Sequence, residues 1–520
     1  MTGPKLVQYF RVAIVSTLVV FCFGAGGEIC GAFFETTAAA FGTKFKDNQP
    51  EDIQAVLERL DDAKAVSQPE NSKQIPIAVL VTEEKPRSLL AIDLGSGKQL
   101  WKIAPPLQSE VTLGENLVIY STVSGINAHD IFTGKPLWSY ELEEGWDYHG
   151  ADVGGGTVAI SVGVGGLEGN QYANGRLVAL EAKTGVPIWN HLSGGGLLGE
   201  PLVHAGMVFV PWDRQKIAVL DAVDGLEICR ILASDFTINH VEAGPGGVYY
   251  GSKGSRTAMS TLYRLDANSA TGKREGSTAF SPTIPLVPGE PSFQRDGFAA
   301  PISGRSATEK IRFHWKSAAG KPDTIAMANN VYYLHYWRYV FALDNATGQL
   351  QWAFKSDKDI ESIQVVSGYV LGVDSDGDLF AIHGQSGVRA WSHGAGTKVV
   401  AGVFDAEGFN PGTTGQATAD PILSLKEIIW DKDNRMLPIR AYATFLLAAF
   451  PNPEVTRDLL QIYSNASTPK GLRDAVVKAL SGRKSGGQYL VDALHMRFDF
   501  LEQTQAPPMN VVAPALVNMK

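Results

Sequence analysis

Residues 341–352 read FALDNATGQLQW, a short apolar run that ends at Asp344 and is followed by Gly348 and Trp352. The alternating apolar residues of the run predict a β-strand. The Asp344 side chain can hydrogen-bond the backbone of the turn that follows, and Gly348 can supply the positive φ that a tight hairpin needs. The stretch therefore predicts a strand, a hairpin turn and a second strand that carries Trp352.

This pattern recurs along the middle of the chain. Five copies are complete, and their turn glycines and tryptophans are Gly97 with Trp101, Gly134 with Trp138, Gly185 with Trp189, Gly348 with Trp352, and Gly387 with Trp391. Two copies are degenerate, because residues 218–229 end in Cys229 instead of Trp and residues 263–272 have a longer turn. Five of the 10 tryptophans thus occupy one motif position, which chance does not explain.

The spacing of the repeats predicts how they assemble. Successive motif glycines lie 37, 51, 40, 47, 76 and 39 residues apart. A period near 40 with about four strands per unit is typical of a β-propeller blade. We therefore predict a mainly β fold, with a seven- or eight-bladed propeller over residues 75–405. The longest interval holds either an eighth blade around residues 302–315 or a proline-rich loop.

The ends of the propeller are expected to pair with each other. Residues 397–400 follow the last motif and have a strand-like pattern, as do residues 77–81 before the first. Pairing of these two segments would close the ring and remove exposed sheet edges.

The Ala-x-Asp-x-x-Thr-Gly-x-x-x-Trp pattern resembles the tryptophan-docking repeat of the pyrroloquinoline-quinone (PQQ)-like propeller family. In that family the Trp of one blade docks on its neighbour and locks the ring. The resemblance implies this structural docking role for the five tryptophans and five glycines of the complete motifs. Glu181, Cys229 and His383 depart from the pattern, so looser docking is expected in their blades.

The resemblance leaves two classes of function open, because the family contains both quinoprotein dehydrogenases and non-enzymatic scaffolds such as BamB of the outer-membrane β-barrel assembly machinery. Dehydrogenases of this resemblance carry adjacent cysteines beside the quinone, and a Ca²⁺ ion held by acidic and amide groups. Here the three cysteines are Cys22, Cys30 and Cys229. We therefore expect no catalytic, cofactor-binding or metal-binding residues and no cofactor, and we favour a BamB-like scaffold that binds proteins in the cell envelope. A PQQ-dependent dehydrogenase is the alternative.

Charge excludes one further class of partner. Charged residues make up 19% of the chain and the formal net charge is −9. A protein dedicated to nucleic acid needs a basic face that neutralises phosphates. We therefore expect no nucleic-acid partner.

The N-terminus is predicted to direct export. Lys5 and Arg11 precede an apolar run at residues 12–24, which is shorter than the roughly 20 residues of a membrane-spanning helix and typical of a secretory signal. Residues 1–40 are thus a signal peptide or an N-terminal membrane anchor, with lipidation at Cys22 or Cys30 as a further alternative. The predicted location is the periplasm or the periplasmic face of a membrane, and the N-terminal segment could associate with that membrane. Residues 41–74 are expected to be a linker with a short amphipathic helix.

The C-terminal part has a different composition. Only 4 of the 55 glycines follow Pro421. A Pro at position 453 marks a helix start, and a second helix is predicted from an apolar stripe at helical spacing: Leu472, Ala475, Val476, Ala479 and Leu480. Residues 406–420 read as a linker, and residues 421–520 as a small all-α, solenoid-like domain that resembles HEAT repeats. Its last helix either caps the stack or leaves an apolar face for a partner.

Two other segments suggest sites. Residues 374–378 (DSDGD) resemble the start of a Ca²⁺ loop, but Gln385 stands where a bidentate Glu is needed, so a hairpin turn is favoured.

Residues 332–339 (YYLHYWRY) are the most aromatic stretch. Tyr336, Trp337 and Arg338 are candidate partner-binding residues, because Tyr, Trp and Arg dominate interface hot spots. The alternative is that these aromatics pack between blades.

The motif generates a stability prediction. Replacing Trp138 or Trp352 by Ala should lower the free energy of unfolding by about 3–5 kcal/mol, as large-to-small changes in cores do. Trp430 lies outside every motif, so its replacement should cost clearly less. Thermal melts of the three variants measure this difference, and equal melting temperatures would mean that the repeat is not a docking motif.

Overall fold

The computed structural model describes residues 39–40, 45–66, 75–164, 174–233, 237–244, 247–252, 261–271, 314–317, 327–328, 331–344, 349–366, 368–405, 420–495 and 509–518. The chain divides into two compact units, Met1–Thr37 and Ala38–Lys520, and all described residues belong to the second. The predicted signal segment and Gly348 lie outside the described residues.

The described strands form seven sheets, most of them four-stranded antiparallel meanders. The first sheet contains β2 (Ile77–Thr82), β3 (Leu89–Asp93) and β4 (Lys98–Ile103). The second contains β5 (Thr112–Gly114), β6 (Leu117–Thr122), β7 (Gly125–Asp130) and β8 (Pro136–Glu141). The third contains β9 (Asp147–Gly154), β10 (Thr157–Val164), β11 (Asn174–Glu181) and β12 (Pro187–Leu192), with β1 (Ala39–Ala40) added parallel to β12.

The remaining sheets follow the same order. The fourth sheet contains β13 (Leu202–His204), β14 (Met207–Trp212), β15 (Lys216–Asp221) and β16 (Glu227–Leu232). The fifth has β17 (His240–Gly244), β18 (Gly247–Ser252) and β19 (Thr261–Arg264) among its described strands, followed by a 3₁₀ helix at Ala267–Thr271. The sixth contains β21 (Met327–Ala328), β22 (Val331–Tyr336), β23 (Tyr339–Asp344) and β24 (Leu350–Lys355). The seventh contains β25 (Ile360–Val366), β26 (Tyr369–Asp374), β27 (Leu379–His383) and β28 (Arg389–His393).

Residues 77–81 pair with a strand after the last motif, as predicted, but their partners are residues 401–405 and not 397–400. Strand β29 (Val399–Asp405) lies antiparallel to β2, with Val79 opposite Val403. The first sheet therefore combines strands from both ends of the repeat region. Strand β20 (His314–Ser317) adds parallel to β29. The described end of the 302–315 segment thus joins the first sheet and forms no sheet of its own.

A β-bulge recurs at one motif position, directly after the residue that lies opposite the Trp. In the first sheet Ala91 lies opposite Trp101, and the register shifts immediately afterwards. Ala128 and Trp138 show the same pairing and shift, as do the pairs at Trp189, Trp352 and Trp391. Even the copy with Cys229 keeps the shift, with Val219 opposite the cysteine. A bulge increases the local twist of a strand. Because the bulge recurs at the same motif position, the outer strands of these sheets are twisted in the same way.

The C-terminal region is helical, as the sequence predicts. Its helices are α2 (Pro421–Ile429), α3 (Leu437–Ala449), α4 (Pro453–Ser464), α5 (Lys470–Ser481), α6 (Gly487–His495) and α7 (Met509–Asn518). Asn452 stands at the N-cap position of α4, without a side-chain capping bond, and Pro453 is the first residue of the helix. The buried residues of α5 are the five of the predicted stripe. The similarity of these helices to HEAT repeats stays a prediction.

The last helix packs on the helices before it. Val512 and Ala515 of α7 are buried in the same apolar cluster as Leu472 and Leu490, while Val517 is exposed. One face of α7 therefore covers the preceding helices.

The N-terminal amphipathic helix is also present as α1 (Pro50–Val66). It packs on β16 of the fourth sheet and on the 3₁₀ helix of the fifth. Ile53, Val56 and Leu60 form its buried face.

The turn glycines generate a prediction with an internal control. A Cβ on Gly134 would lie 2.8 Å from the Trp101 ring, and Gly134 has φ +67°. Gly155 has φ +58°, but a Cβ there would meet nothing within 4 Å. Gly155→Ala therefore reports backbone strain alone, whereas Gly134→Ala adds a clash worth about 1–3 kcal/mol. Urea unfolding of both variants measures the difference, and equal losses would contradict close docking on Gly134.

Candidate protein-binding site

Each complete motif places its Trp against the turn of the next sheet. The indole N–H of Trp101 donates to the Ile131 carbonyl at 2.8 Å, and its ring lies over Gly134 of the second sheet. The same bond joins Trp138 to Ala182 (2.8 Å), Trp189 to Ala222 (3.0 Å), Trp352 to Gly384 (2.8 Å) and Trp391 to Leu94 (2.8 Å). The last contact joins the seventh sheet to the first. That these contacts lock the ring stays a prediction.

The docking tryptophans differ in burial. Trp352 is 1% exposed, whereas Trp138 is half-buried. Truncation of Trp352 should therefore destabilise the protein more than truncation of Trp138, because more apolar area is lost.

The turns with Glu181 and His383 form the same backbone hydrogen bond as a turn with Asp at this position. The Gly185 N–H donates to the Glu181 carbonyl at 2.8 Å, and the Gly387 N–H donates to the His383 carbonyl at 2.9 Å. The motif with Asp93 makes the same bond, from Gly97 at 2.8 Å. The His383 turn thus forms this bond without a carboxylate at the position, whereas the Glu181 carboxylate still accepts a bond from the Thr184 hydroxyl.

The three candidate partner-binding residues lie against the chain's own helical region. Tyr336 is buried, and its hydroxyl donates to the Arg435 carbonyl at 3.4 Å. The Arg435 guanidinium lies 4.3 Å from the centre of the Trp337 ring. Arg338 Nη2 donates to Asp433 Oδ2 at 2.6 Å. All three residues thus contact a segment of the same chain, and their role in binding a separate partner stays a prediction.

The contact of residues 336–338 with the helical region is here called the joint, and apolar packing extends it. One face of β23 (Tyr339, Phe341 and Leu343) is buried in a cluster with Leu425, Tyr442 and other residues of the helical region. The opposite face, with Val340 and Ala342, packs towards the seventh sheet. The helical region thus covers the sixth sheet on the side turned away from the seventh.

Hydrogen bonds between polar and charged side chains stabilise the joint. The Tyr339 hydroxyl donates to the Asp431 carboxylate, and burial together with this bond raises the tyrosine pKa. Burial alone would raise the Asp431 pKa, but the bond from Tyr339 and the nearby Arg338 lower it. Hydrogen bonds from Arg435 lower the pKa of Asp433. Both carboxylates are therefore held in their charged form.

Sequence reasoning missed the helical-region half of this joint. Asp431, Asp433 and Arg435 occur in a short charged segment between α2 and α3. Their only sequence signal is a run of alternating opposite charges, which is also typical of an exposed loop. Their partners Tyr336, Arg338 and Tyr339 lie 92 to 99 residues earlier in the chain, and Asp359, which pairs with Arg435, lies 76 residues earlier.

The DSDGD segment is a hairpin turn, as favoured from the sequence. It joins β26 to β27, and the Asp374 side chain accepts the backbone N–H groups of Asp376 and Asp378, both at 3.0 Å. The Lys358 ammonium lies 2.7 Å from Asp376 Oδ2 and 3.0 Å from Asp378 Oδ2. A lysine thus supplies the positive charge between these carboxylates.

A metal site and a membrane-spanning helix are both absent from the described ranges. No group of three or more His, Cys, Asp or Glu side chains there is placed to hold a metal ion. Among the described helices, none has the length and apolar character needed to cross a membrane.

Comparison with known proteins agrees with the repeat pattern. A family model described as outer membrane protein assembly factor BamB matches residues 148–230 and 292–406. The chain is therefore similar to proteins of the PQQ-like repeat family. A similar curated protein is the outer membrane protein assembly factor BamB of Moranella endobia, 22% identical over 326 residues, which are 62% of this chain and 75% of that protein.

Solved structures similar to this chain have different functions. BamB of Moraxella catarrhalis is 15% identical, with a TM-score of 0.29, and the match covers 64% of this chain and 86% of that one. Quinohemoprotein alcohol dehydrogenase of Comamonas testosteroni is also 15% identical, with a TM-score of 0.34, covering 62% and 66%. Similarities this distant do not decide between a scaffold and an enzyme.

The joint predicts a pH dependence. Because the pKa values of Asp431 and Asp433 are lowered on folding, their contribution to stability is complete above the pKa of an unfolded aspartate and is lost as the pH falls through the folded values. The parent melting temperature should therefore fall between about pH 5 and pH 3, and Asp433→Asn should flatten that fall.

Thermal melts from pH 6 to pH 3 test this, with Glu144→Gln, an exposed residue outside the joint, as the control. An Asp433→Asn profile parallel to that of the parent would contradict the argument.

Proposed function

We propose that this PQQ-like protein is an exported, non-enzymatic scaffold that binds proteins in the cell envelope, and that its process is outer-membrane protein assembly. The observation that carries the proposal is the match of the BamB family model over residues 148–230 and 292–406. The curated relative with that printed name aligns over 326 residues, 62% of this chain, and supports the same process. Its location would be the periplasm or the periplasmic face of a membrane, reached through residues 1–40.

The proposed architecture is a seven-bladed propeller over residues 75–405, in which the five motif tryptophans dock neighbouring blades. The seven sheets of the described residues and the contact from Trp391 to Leu94 support this count. Residues 41–74 would form the preceding linker with α1, and residues 406–420 the linker to a HEAT-like domain at 421–520. The joint at Arg338 and Asp433 would hold the propeller and the helices in one orientation.

We place the partner surface on the outer strands of the first three blades. The residue before the docking Trp is aliphatic and exposed there: Leu100 is 38%, Leu137 49% and Ile188 40% exposed. Val186, two residues before Ile188, is 57% exposed, and Leu226, at the equivalent position after the motif glycine of the fourth sheet, is 66% exposed. Apolar groups repeated at equivalent positions of neighbouring sheets form the kind of surface that a protein partner buries.

Affinity purification tests the proposal. The tagged full-length protein, mildly crosslinked in envelope extracts, should recover an outer-membrane assembly protein. Leu137→Asp should weaken recovery about tenfold or more, because burying a Leu side chain contributes roughly 1.5–3 kcal/mol. Ser139→Asp is the matched control, since Ser139 lies two residues along β8 and is also exposed.

Recovery of no protein partner would contradict the proposal. Equal losses for Leu137→Asp and Ser139→Asp would move the partner surface elsewhere while keeping the function. Binding of PQQ with Ca²⁺, seen as quinone absorbance and dye-linked alcohol oxidation, would instead support the dehydrogenase alternative.

A further inference from the structure

The fourth sheet lacks the docking Trp that the third sheet carries as Trp189. Cys229 occupies the motif position on β16, opposite Val219, and is completely buried. A thiol is too small to reach the turn of the next sheet, and it has no indole N–H to donate. In the fifth sheet the corresponding turn is the 3₁₀ helix Ala267–Thr271, which follows Asp266. The joint between these two sheets therefore needs another connection.

Helix α1 lies across this joint. Ile53, Val56 and Leu60 are 1%, 0% and 3% exposed. They belong to one apolar cluster with Cys229 of the fourth sheet and Leu265 of the fifth. The helix contacts both β16 and the 3₁₀ helix, which are the two elements that a docking Trp would join.

Polar contacts hold the residues that precede α1 on β16. Asn48 pairs with Leu232 as a neighbouring strand would, because its Nδ2 donates to the Leu232 carbonyl at 3.0 Å and its Oδ1 accepts the Leu232 N–H at 2.8 Å. The Asn48 N–H also donates to the Arg230 carbonyl at 2.8 Å. Further along the helix, Arg59 forms an ion pair with Asp221 at 2.8 Å.

The Arg230 side chain supports the same segment. It is 6% exposed and forms two bonds of 2.7 Å to the Glu227 carboxylate. Its guanidinium lies 4.8 Å from the centre of the Trp212 ring and 5.8 Å from that of Phe45. Residues 45–48 are thus attached through a buried and neutralised arginine.

We propose that residues 45–66 form a clasp that replaces the missing docking tryptophan, so that the joint between the fourth and fifth sheets stays closed only while α1 is bound. The clasp is conditional because its apolar contact comes from one face of a single helix, and an isolated helix of this length is marginally stable in water. Its release would expose the Cys229 side of β16 and leave the other Trp-docked joints intact. This inference does not depend on the proposed function.

Cys229 is a built-in reporter of the clasp. Burial raises the pKa of its thiol to about 12, and the reactive species is the thiolate, so labelling requires the joint to open. The full chain with Cys22→Ser and Cys30→Ser keeps Cys229 as its only thiol. Its labelling rate with a disulfide reagent is measured well below the melting temperature.

Val56→Asp should increase the labelling rate at least about a hundredfold, because an unpaired carboxylate in the buried face disfavours the bound helix. Ala55→Asp adds the same charge to an exposed position of the same helix and should leave the rate unchanged. Trp352→Ala weakens a different joint and should also leave Cys229 protected. The milder Val56→Ala should give an intermediate rate if Val56→Asp does not fold.

The proposal is overturned if Cys229 in the Val56 variants stays as protected as in the parent. It is also overturned if Trp352→Ala exposes Cys229 as strongly as the Val56 variants do, because the opening would then be global.

Discussion

The contact of an indole ring with a glycine turn is the interaction on which the repeat region depends. Each such contact needs three features at once: a turn residue without Cβ, a small residue opposite the Trp, and a carbonyl within reach of the indole N–H. At Trp101 these features are Gly134, Ala91 and Ile131. Because the bond is made to the backbone of the next sheet, it adds direction to an otherwise non-directional apolar contact.

The regular part of this design was predictable because it is encoded locally. Strand, turn, glycine and tryptophan occur within twelve residues, so the sequence alone gave the hairpins and the order of sheets. The helical stripe at 472–480 was equally local. The joint of Arg338 with Asp433 was not predictable, since pairing of these charges depends on how two separately folded regions meet. The composition of the aromatic stretch likewise could not indicate that Tyr336, Trp337 and Arg338 contact the helical region of the same chain.

Departures from the repeat coincide with the places where helices contact the sheets. The motif that ends in Cys229 is covered by α1. The motif at 263–272 has Gly276 at the tryptophan position, and the sixth sheet, which follows it, is covered by the C-terminal helices. There Tyr442 meets Phe341 edge-on, with ring centres 6.0 Å apart. Helices from both ends of the repeat region thus bury apolar surface beside the degenerate repeats.

Pairing of β2 with β29 has a consequence for the order in which the chain can fold. Strand β2 is among the first repeat strands to be synthesised, yet one of its two edges receives its partner only when residues 399–405 emerge. The contact between Trp391 and Leu94 spans 297 residues. Contacts of such sequence separation are slow to form, and an unpaired apolar strand is prone to aggregation meanwhile. The growing polypeptide therefore carries an unpaired edge of its earliest sheet until almost the whole repeat region has been synthesised.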